Sequence, residues 1–448
     1  MVVVSRQLGI LAVLFCLLVQ VTTSGADRPA PDLEKRVRQL VIDLDANRRA
    51  VRDRARGELI RLGPDVLPHF PAPADLKSVA ARAAIRRIRR TLERKQAMES
   101  AEATRVTFSG RLALQQIVET LQRHTGNRLQ LVNVKEAVRR RELPIDFRKA
   151  SFWDVVGDLA SRTGLQPVVT SEGCVLAPTS ARPYSRSSHS GPFRVTVTAR
   201  PLRAITGDDE HLLLPLRLDW SAEPRLRPLY LICRPADFSA SGSDGIRIVP
   251  RSPDATLELP LGATGPRLQL RLDFQAPRST RIKTLSLKGR ALVQLAAGTQ
   301  PFVFSNLTRT SIPPQRKAGV MVFLKEARFS EPRNGRFNAL VRIGVVYESG
   351  GPAFESHRTW LLHNRARLQA RGQAAVEFVR LETPRLGDGT AEIVYHFEDL
   401  RESPAIWQFR YEAPTLIIRV PVTLSFPPLT IPPAGQNGQA PERQEKYE

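Results

Sequence analysis

The stretch Leu114-Gln-Gln-Ile-Val-Glu-Thr-Leu121, closed by Thr125-Gly126, is answered 38 residues later by Phe152-Trp-Asp-Val-Val-Gly-Asp-Leu159, closed by Thr163-Gly164. In each copy the apolar residues stand at i, i+3, i+4 and i+7: Leu114, Ile117, Val118 and Leu121, then Phe152, Val155, Val156 and Leu159. That spacing puts them on one face of a helix. The glycine of each Thr-Gly pair falls where a helix end favours the left-handed conformation. Strand-like runs follow each helix at 129–132 and 165–170, with a further run at 174–177. Strand patterns also precede them: Val106-Thr-Phe108, and the alternating Leu143, Ile145 and Phe147. The expectation is a small α+β module of two strand–helix–strand halves over 104–178.

These helical runs, with His124-Thr-Gly126 and the strand Leu143-Pro-Ile-Asp-Phe147, make the segment resemble the secretin and TonB short N-terminal domain. The resemblance covers about one sixth of the chain and carries fold more than function. It implies a periplasmic protein-binding module, in that family usually attached to an outer-membrane channel or receptor. No barrel pattern follows here. The resemblance therefore implies the compartment and the habit of binding proteins, and leaves coupling to transport aside.

Upstream of the module, 31–98 reads as helices. Leu33, Val37, Leu40, Val41 and Leu44 make one amphipathic stripe; Val51, Ala55, Leu59 and Leu62 make a second, with Asn47 as the expected N-cap and Gly63-Pro64 as its end. After a Pro-rich break at 68–73, a long helix carries Ala81, Ile85, Ile88 and Leu92. The run from Leu44 to Pro64 resembles a HEAT-like helical repeat. One or two such units do not make a solenoid, since about three are needed for stability. Further upstream, the apolar run 8–21 followed by Ser24-Gly-Ala26 reads as a signal peptide over 1–26, with helical sequence over 27–99 beyond it. Export to the periplasm or cell envelope is the expectation, with membrane contact only through that segment if it stays uncleaved.

Beyond the module, 179–192 is rich in Ser, Pro and Gly and reads as a linker. From Phe193 onward the period is two, with short runs broken by Pro, Gly and Asp, which predicts β-sandwich architecture. The β region looks doubled. Val195 to Arg203 is matched by Val320 to Arg328, Leu216 to Trp220 by Ile343 to Tyr347, and Phe304 to Pro314 by Leu424 to Pro433. Two tandem all-β sandwich-like domains over 193–314 and 317–433 are expected. Asn334-Gly335 before an alternating run predicts a tight hairpin. The polar tail 434–448 is expected to be disordered.

The formal net charge is +23, and 57 of the 67 basic residues (67 less 10 lysines) are arginine. Residues 31–98 hold 17 Lys/Arg against 9 Asp/Glu, a net +8. A basic field favours anionic partners, which outside the cytoplasm means envelope polymers, lipid headgroups or acidic proteins rather than genomic nucleic acid. Arg86, Arg87 and Arg90 point away from the Ile85/Ile88 stripe, and Arg139, Arg140 and Arg141 lie between the halves of the module. These six are the candidate contacts for an anion or a partner, against the plainer reading of a solvated helix face and loop.

No phosphate loop, dinucleotide fingerprint, His-Glu-x-x-His or Cys-x-x-Cys occurs. His357 and His363 stand near Glu355 without a third ligand at metal spacing. Gly242-Ser-Asp-Gly245 reads as a hairpin turn rather than a nucleophile elbow. Past the leader only Cys174 and Cys233 remain, and two buried thiols are the plainer reading. Catalytic, cofactor-binding and metal residues are expected to be none. The combined expectation is a non-enzymatic envelope protein that binds or scaffolds another envelope protein. A binder of anionic polymers is the alternative, and a hydrolase with a scattered site the second alternative.

Overall fold

Helices come first in this chain because the 3.6-residue apolar period comes first, and strands follow where the period falls to two. The computed structural model describes residues 31–433 except 72–74, 77, 171, 179–182, 244, 261–266, 280–281, 310, 318, 348–363, 371 and 388–389. The expected leader, the segment with His357 and His363, and the expected tail lie outside the described residues. The chain forms two compact units that part between Leu92 and Glu93.

In the first unit, α1 (Pro31–Asp43), α2 (Arg49–Leu62), a 3-10 turn at Pro64–His69 and most of α3 (Val79–Ser100) enclose one core. Val37, Leu40, Leu44, Leu59, Ile88 and Leu92 are buried in it. Gly63, at φ 87°, closes α2. The N-cap of α2 is Arg48 rather than the expected Asn47, and it makes no side-chain cap. The later start moves the Asn47 side chain off the capping position. Arg52 folds back instead and donates through one nitrogen to the carbonyls of Ala46 and Asn47, each at 2.8 Å.

The second unit begins with the last turns of α3 and continues into the α+β module. Its elements are β1 (Arg105–Ala113), α4 (Leu114–Thr125), β2 (Leu129–Leu131), α5 (Glu136–Arg139), β3 (Glu142–Ser151), α6 (Phe152–Thr163), β4 (Leu165–Val169) and β5 (Cys174–Pro178). β1 pairs antiparallel with β3. β5 is parallel to β2 and antiparallel to β4. The apolar faces of α4 and α6 are buried in one core with both sheets. Gly126 (φ 68°) and Gly164 (φ 73°) cap the two helices in the left-handed conformation. Ser151 and Asp154 form a reciprocal capping box at the start of α6.

The strands that follow are β6 (Ser185–Ser190), β7 (Phe193–Ala199), β8 (Arg203–Ile205), β9 (Asp208–Ala222), β10 (Arg227–Cys233), β11 (Phe238–Gly242), β12 (Arg247–Pro250), β13 (Leu257–Pro260), β14 (Arg267–Pro277) and β15 (Thr284–Phe304). After them come β16 (Gln315–Lys317), β17 (Val320–Phe329), β18 (Phe337–Tyr347), β19 (Ala366–Gln369), β20 (Val376–Glu377), β21 (Arg380–Gly387), β22 (Thr390–Leu400), β23 (Gln408–Ser425) and β24 (Leu429–Thr430). They build two sandwich-like β cores. One sheet runs β20-β19-β23-β15-β11-β12-β14-β9-β7-β6 with short strands attached, and a five-stranded sheet runs β16-β17-β18-β22-β21. The first core gathers side chains of β7, β9, β14, β11 and the first half of β15. The second gathers β17, β18, β22, β19 and the far ends of β15 and β23. In the proposed doubling β7 corresponds to β17 and β9 to β18; β7 pairs with β9, and β17 pairs with β18. Arg333 and Arg336 exchange hydrogen bonds around Asn334 (φ 53°) and Gly335 (φ 73°), the geometry of the tight hairpin. Gly245 N donates to Gly242 O at 3.0 Å, a turn contact between β11 and β12.

Two further expectations need correction. The segment read as a linker contains β6, which pairs with β7 from Ser185↔Thr198 to Ser190↔Phe193. Its period of two is written in hydroxyls, not in hydrophobics: Ser185 bonds Thr198 at 2.7 Å and Ser187 bonds Thr196 at 2.9 Å. The two β cores also do not divide between 314 and 317. β15 and β23 run antiparallel from Lys288↔Ser425 to Phe304↔Phe409 and pass through both cores. Val422 and Leu424 therefore belong to the first core, and Phe302, Phe304, Leu229 and Tyr230 to the second. Where the ribbon passes between cores, Gly298 faces Thr415 so closely that a Cβ there would meet its hydroxyl at 2.7 Å.

Candidate functional site

Three places among the described residues bear on a candidate site. The first is the seat of the α+β module on the β region. Glu223 follows β9, and its side chain is fully buried. Its carboxylate accepts from Thr104 N and Thr104 Oγ1 at 3.0 Å, from Asn127 Nδ2 at 3.0 Å and from Arg225 Nε at 2.8 Å. Arg225 N donates to Asn127 Oδ1 at 3.0 Å, and the Arg225 guanidinium also donates to the carbonyls of Ser100 and Glu102. One acid–base pair thus ties the end of α3, both ends of the β1–α4 segment and the β9–β10 turn. A buried carboxylate holds such a position only with this many donors.

The same seat has an aromatic side. Trp153, fully buried on α6, donates from its indole nitrogen to the carbonyl of Pro192 at 2.9 Å. Beside it, His189 Nδ1 of β6 lies 3.4 Å from Asp154 Oδ1 of α6. Burial pushes the His189 imidazole below its ordinary value; Arg194 adds to this, and Asp154 opposes it. Burial pushes the Asp154 carboxyl up, but its bonds to Ser151 and His189 outweigh this and leave it below its ordinary value.

The second place is a cleft of about 320 Å³ on the outer face of the five-stranded sheet, lined by Arg328, Ser330, Asn338, Leu340, His396 and Glu398 among others. Register sets the row: Arg328 opposes Leu340, Leu340 opposes His396, and His396 opposes Arg380. His396 Nε2 lies 3.0 Å from Glu382 Oε1, which Arg380 also engages at 2.9 Å. Arg380 Nη2 lies 3.4 Å from the same Nε2, so this ring nitrogen stands between a donor and an acceptor. Ser330 Oγ donates to the carbonyl of Glu331 at 3.2 Å and accepts from Asn338 N at 2.9 Å. Its proton is committed to the backbone, so it is not prepared as a nucleophile. The cations of the same face are matched by carboxylates, as in Arg342 with Glu326 (3.6 Å) and Glu392 (3.5 Å).

The third place is the arginine set expected from the sequence. Arg86, Arg87 and Arg90 are exposed on α3 and have no ion pair among the described residues. Arg89, at their flank, stacks on Phe70 with 5.6 Å to the ring centre. The other triplet is divided. Arg139 is half-buried and donates to the carbonyls of Val134 (3.1 Å) and Leu131 (2.8 Å), so it is a structural residue of the module. Arg140 pairs with Glu136 at 2.6 Å, and Arg141 is exposed. Arg86, Arg87 and Arg90 belong to the first unit and Arg139, Arg140 and Arg141 to the second.

Among the described residues no three His, Cys, Asp or Glu side chains are grouped to hold a metal ion. No helix among them is long and apolar enough to cross a membrane. Cys174 and Cys233 are free, each buried in a different core, and burial pushes both thiols up to about 12. The sequence held no signal for the Glu223 seat, whose members lie up to 125 residues apart in the chain.

No protein-family model matches the chain, and no curated protein is similar to it. Among solved structures, pT26-6p is similar at 10% identity and a TM-score of 0.15. The match covers 55% of this chain and 65% of that one, and a score so low carries no argument about fold or function.

Proposed function

We propose that this chain is an exported, non-enzymatic binding and scaffolding protein of the bacterial cell envelope. Its α+β module, read as a secretin/TonB short N-terminal-like domain, is the binding element, and the β region is a stiff carrier. The helical region before it is read as HEAT-like. The observation that carries this reading is the Glu223–Arg225 seat. A module that binds another protein must be held at a set orientation to act as a scaffold, and a buried ion pair with four donors specifies one orientation rather than many. The test is crosslinking of the full chain in intact cells. The expected result is a defined envelope partner crosslinked through 104–178, with the product reduced in Glu223→Ala. A chain found only in the cytoplasm, or crosslinks scattered evenly over its surface, would overturn the reading.

Two other readings rest on one observation each. The exposed, unpaired Arg86, Arg87 and Arg90 favour an anionic polymer as partner. In that case heparin binding falls steeply with salt, and changing the three to Gln flattens the slope. The oriented His396 in its cleft favours a hydrolase. In that case turnover of an envelope ester or glycoside is lost in His396→Ala while the fold is kept.

A further inference from the structure

Resting on the scaffold reading, we infer that the free edge of β1 receives an extended, acidic segment of a partner protein as an added strand. β1 and β3 form a two-stranded sheet with no third strand among the described residues. The two backbone bonds that bracket the pair show which way β1 faces. Thr104 O accepts from Phe152 N, and Leu114 N donates to Arg141 O, each at 3.1 Å. Alternation between them turns the even-numbered residues of β1 toward β3. The N–H and C=O groups of Arg105, Thr107, Ser109 and Arg111 therefore face outward, and all four residues are exposed. This is an unprotected edge, the feature proteins otherwise blunt with proline or cover. The other edge of the sheet is blunted: by the same alternation Pro144 is among the outward residues of β3, and it has no N–H to donate.

Charge chooses the occupant. Arg105 of β1 and Lys149 of β3 stand in this sheet without an ion pair among the described residues, while Asp146 is neutralised by Arg148 and Glu142 by Arg111. The uncompensated charge is positive. Lys149 sits at φ 50° in the bulge of β3 that faces Thr107, a conformation uncommon for a residue with a side chain. Phe108, half-buried, packs 5.3 Å from Phe147 and 6.3 Å from His124, and offers an apolar contact next to the edge. Strand addition takes its affinity from main-chain bonds and its selectivity from side chains flanking the edge. A carboxylate-rich strand fits both. A second copy of this chain would place two uncompensated basic sets together, which electrostatics opposes.

The test uses the full chain and two end-blocked decapeptides, alternating Glu-Val and alternating Lys-Val. Binding is read by fluorescence anisotropy and location by amide hydrogen exchange. The Glu-Val peptide is expected to bind and to slow exchange at Thr107, Ser109 and Arg111, and the Lys-Val peptide to do neither. Arg105→Glu with Lys149→Glu is expected to weaken binding at least about fivefold, as reversal of two exposed pairs should. A Glu-Val peptide methylated on alternate backbone nitrogens is expected to lose binding while keeping its charge. Equal binding of both peptides, binding without protection of these amides, or protection that appears with protein concentration alone would overturn the inference. Crosslinks to an envelope partner with β1 unprotected would leave the scaffold reading standing and remove this edge from it. Peptide protection without any envelope partner would do the opposite.

Discussion

The α+β module is held together inside by one kind of force and held in place by another. Its interior is apolar: Ile117 and Val155 stand at equivalent places on α4 and α6, both with no exposure. Its seat on the β region is polar, built from Glu223, Arg225, Asn127, Thr104 and the pair of His189 with Asp154. Apolar burial is non-directional and tolerates small shifts, so it stabilises the module without fixing where it sits. Hydrogen bonds to a buried carboxylate are directional, and they specify position at the cost of desolvating a charge.

The difference is sharpest under substitution. Ile117→Asp or Val155→Asp buries an unpaired carboxyl in the module core and is expected to cost several kcal/mol, about 4 or more. The module itself should unfold, seen as lost protection of both α4 and α6 in hydrogen exchange. Glu223→Ala leaves the module core intact but strands Arg225 and Asn127, at a cost of about 3–5 kcal/mol. Here α4 and α6 should keep their protection, while Thr104, Asn127 and Arg225 exchange faster. If Glu223→Ala also melts α4, the seat and the core are one cooperative unit and the contrast fails.

The same contrast explains what the sequence disclosed. Leu114 to Leu121 and Phe152 to Leu159 repeat at helical spacing, so both helices, their glycine ends and the strands around them were legible. The two β cores were legible in the period of two. The shared β15–β23 ribbon was not, because register between strands more than 100 residues apart leaves no local trace. Nor was β6, whose alternation is of serine hydroxyls against Thr196 and Thr198. Glu223-Pro-Arg225 looks like any exposed turn; only the fold brings it to Asn127. Of the expected contact residues, composition could mark arginines but not their acceptors.

Acid should loosen the seat before the core. His189 and Asp154 both titrate below their ordinary values in the folded chain, so the folded state binds fewer protons than the unfolded one. The stability each contributes is full above its unfolded value, 6.5 for His189 and 3.8 for Asp154, and is lost as pH falls through the folded value. Facing His189 are Asp154 from α6 and Arg194 from β7, and an imidazolium gains from the first and suffers from the second. Amides of β6 and the first turn of α6 are expected to exchange faster relative to α4 as pH drops below 6.5, after correction for intrinsic rates. His189→Gln should remove the part of that dependence that sets in as pH drops below 6.5. An unchanged profile in His189→Gln would assign the acid sensitivity elsewhere.

The smallest expected effect lies within the module, between two neighbouring arginines that the sequence could not tell apart. Arg139 reaches back to the carbonyls of Leu131, at the end of β2, and of Val134 in the loop beyond it, while Arg140 meets only Glu136 one turn away in an exposed pair. Removing Arg139 leaves the carbonyls of Leu131 and Val134 to water and frees the 132–135 loop, at a cost of about 1–2 kcal/mol. Removing Arg140 loses one surface ion pair, worth about 0.5 kcal/mol or less. Arg139→Ala should therefore raise amide exchange at Val132 and Val138, and Arg140→Ala should leave both near wild type. Adding 0.5 M salt separates the two causes further, since screening erases an exposed ion pair but hardly touches a half-buried bond to a carbonyl. Equal effects from the two substitutions would mean that Arg139 is as free as its neighbour. It would then return to the set of residues open to a partner.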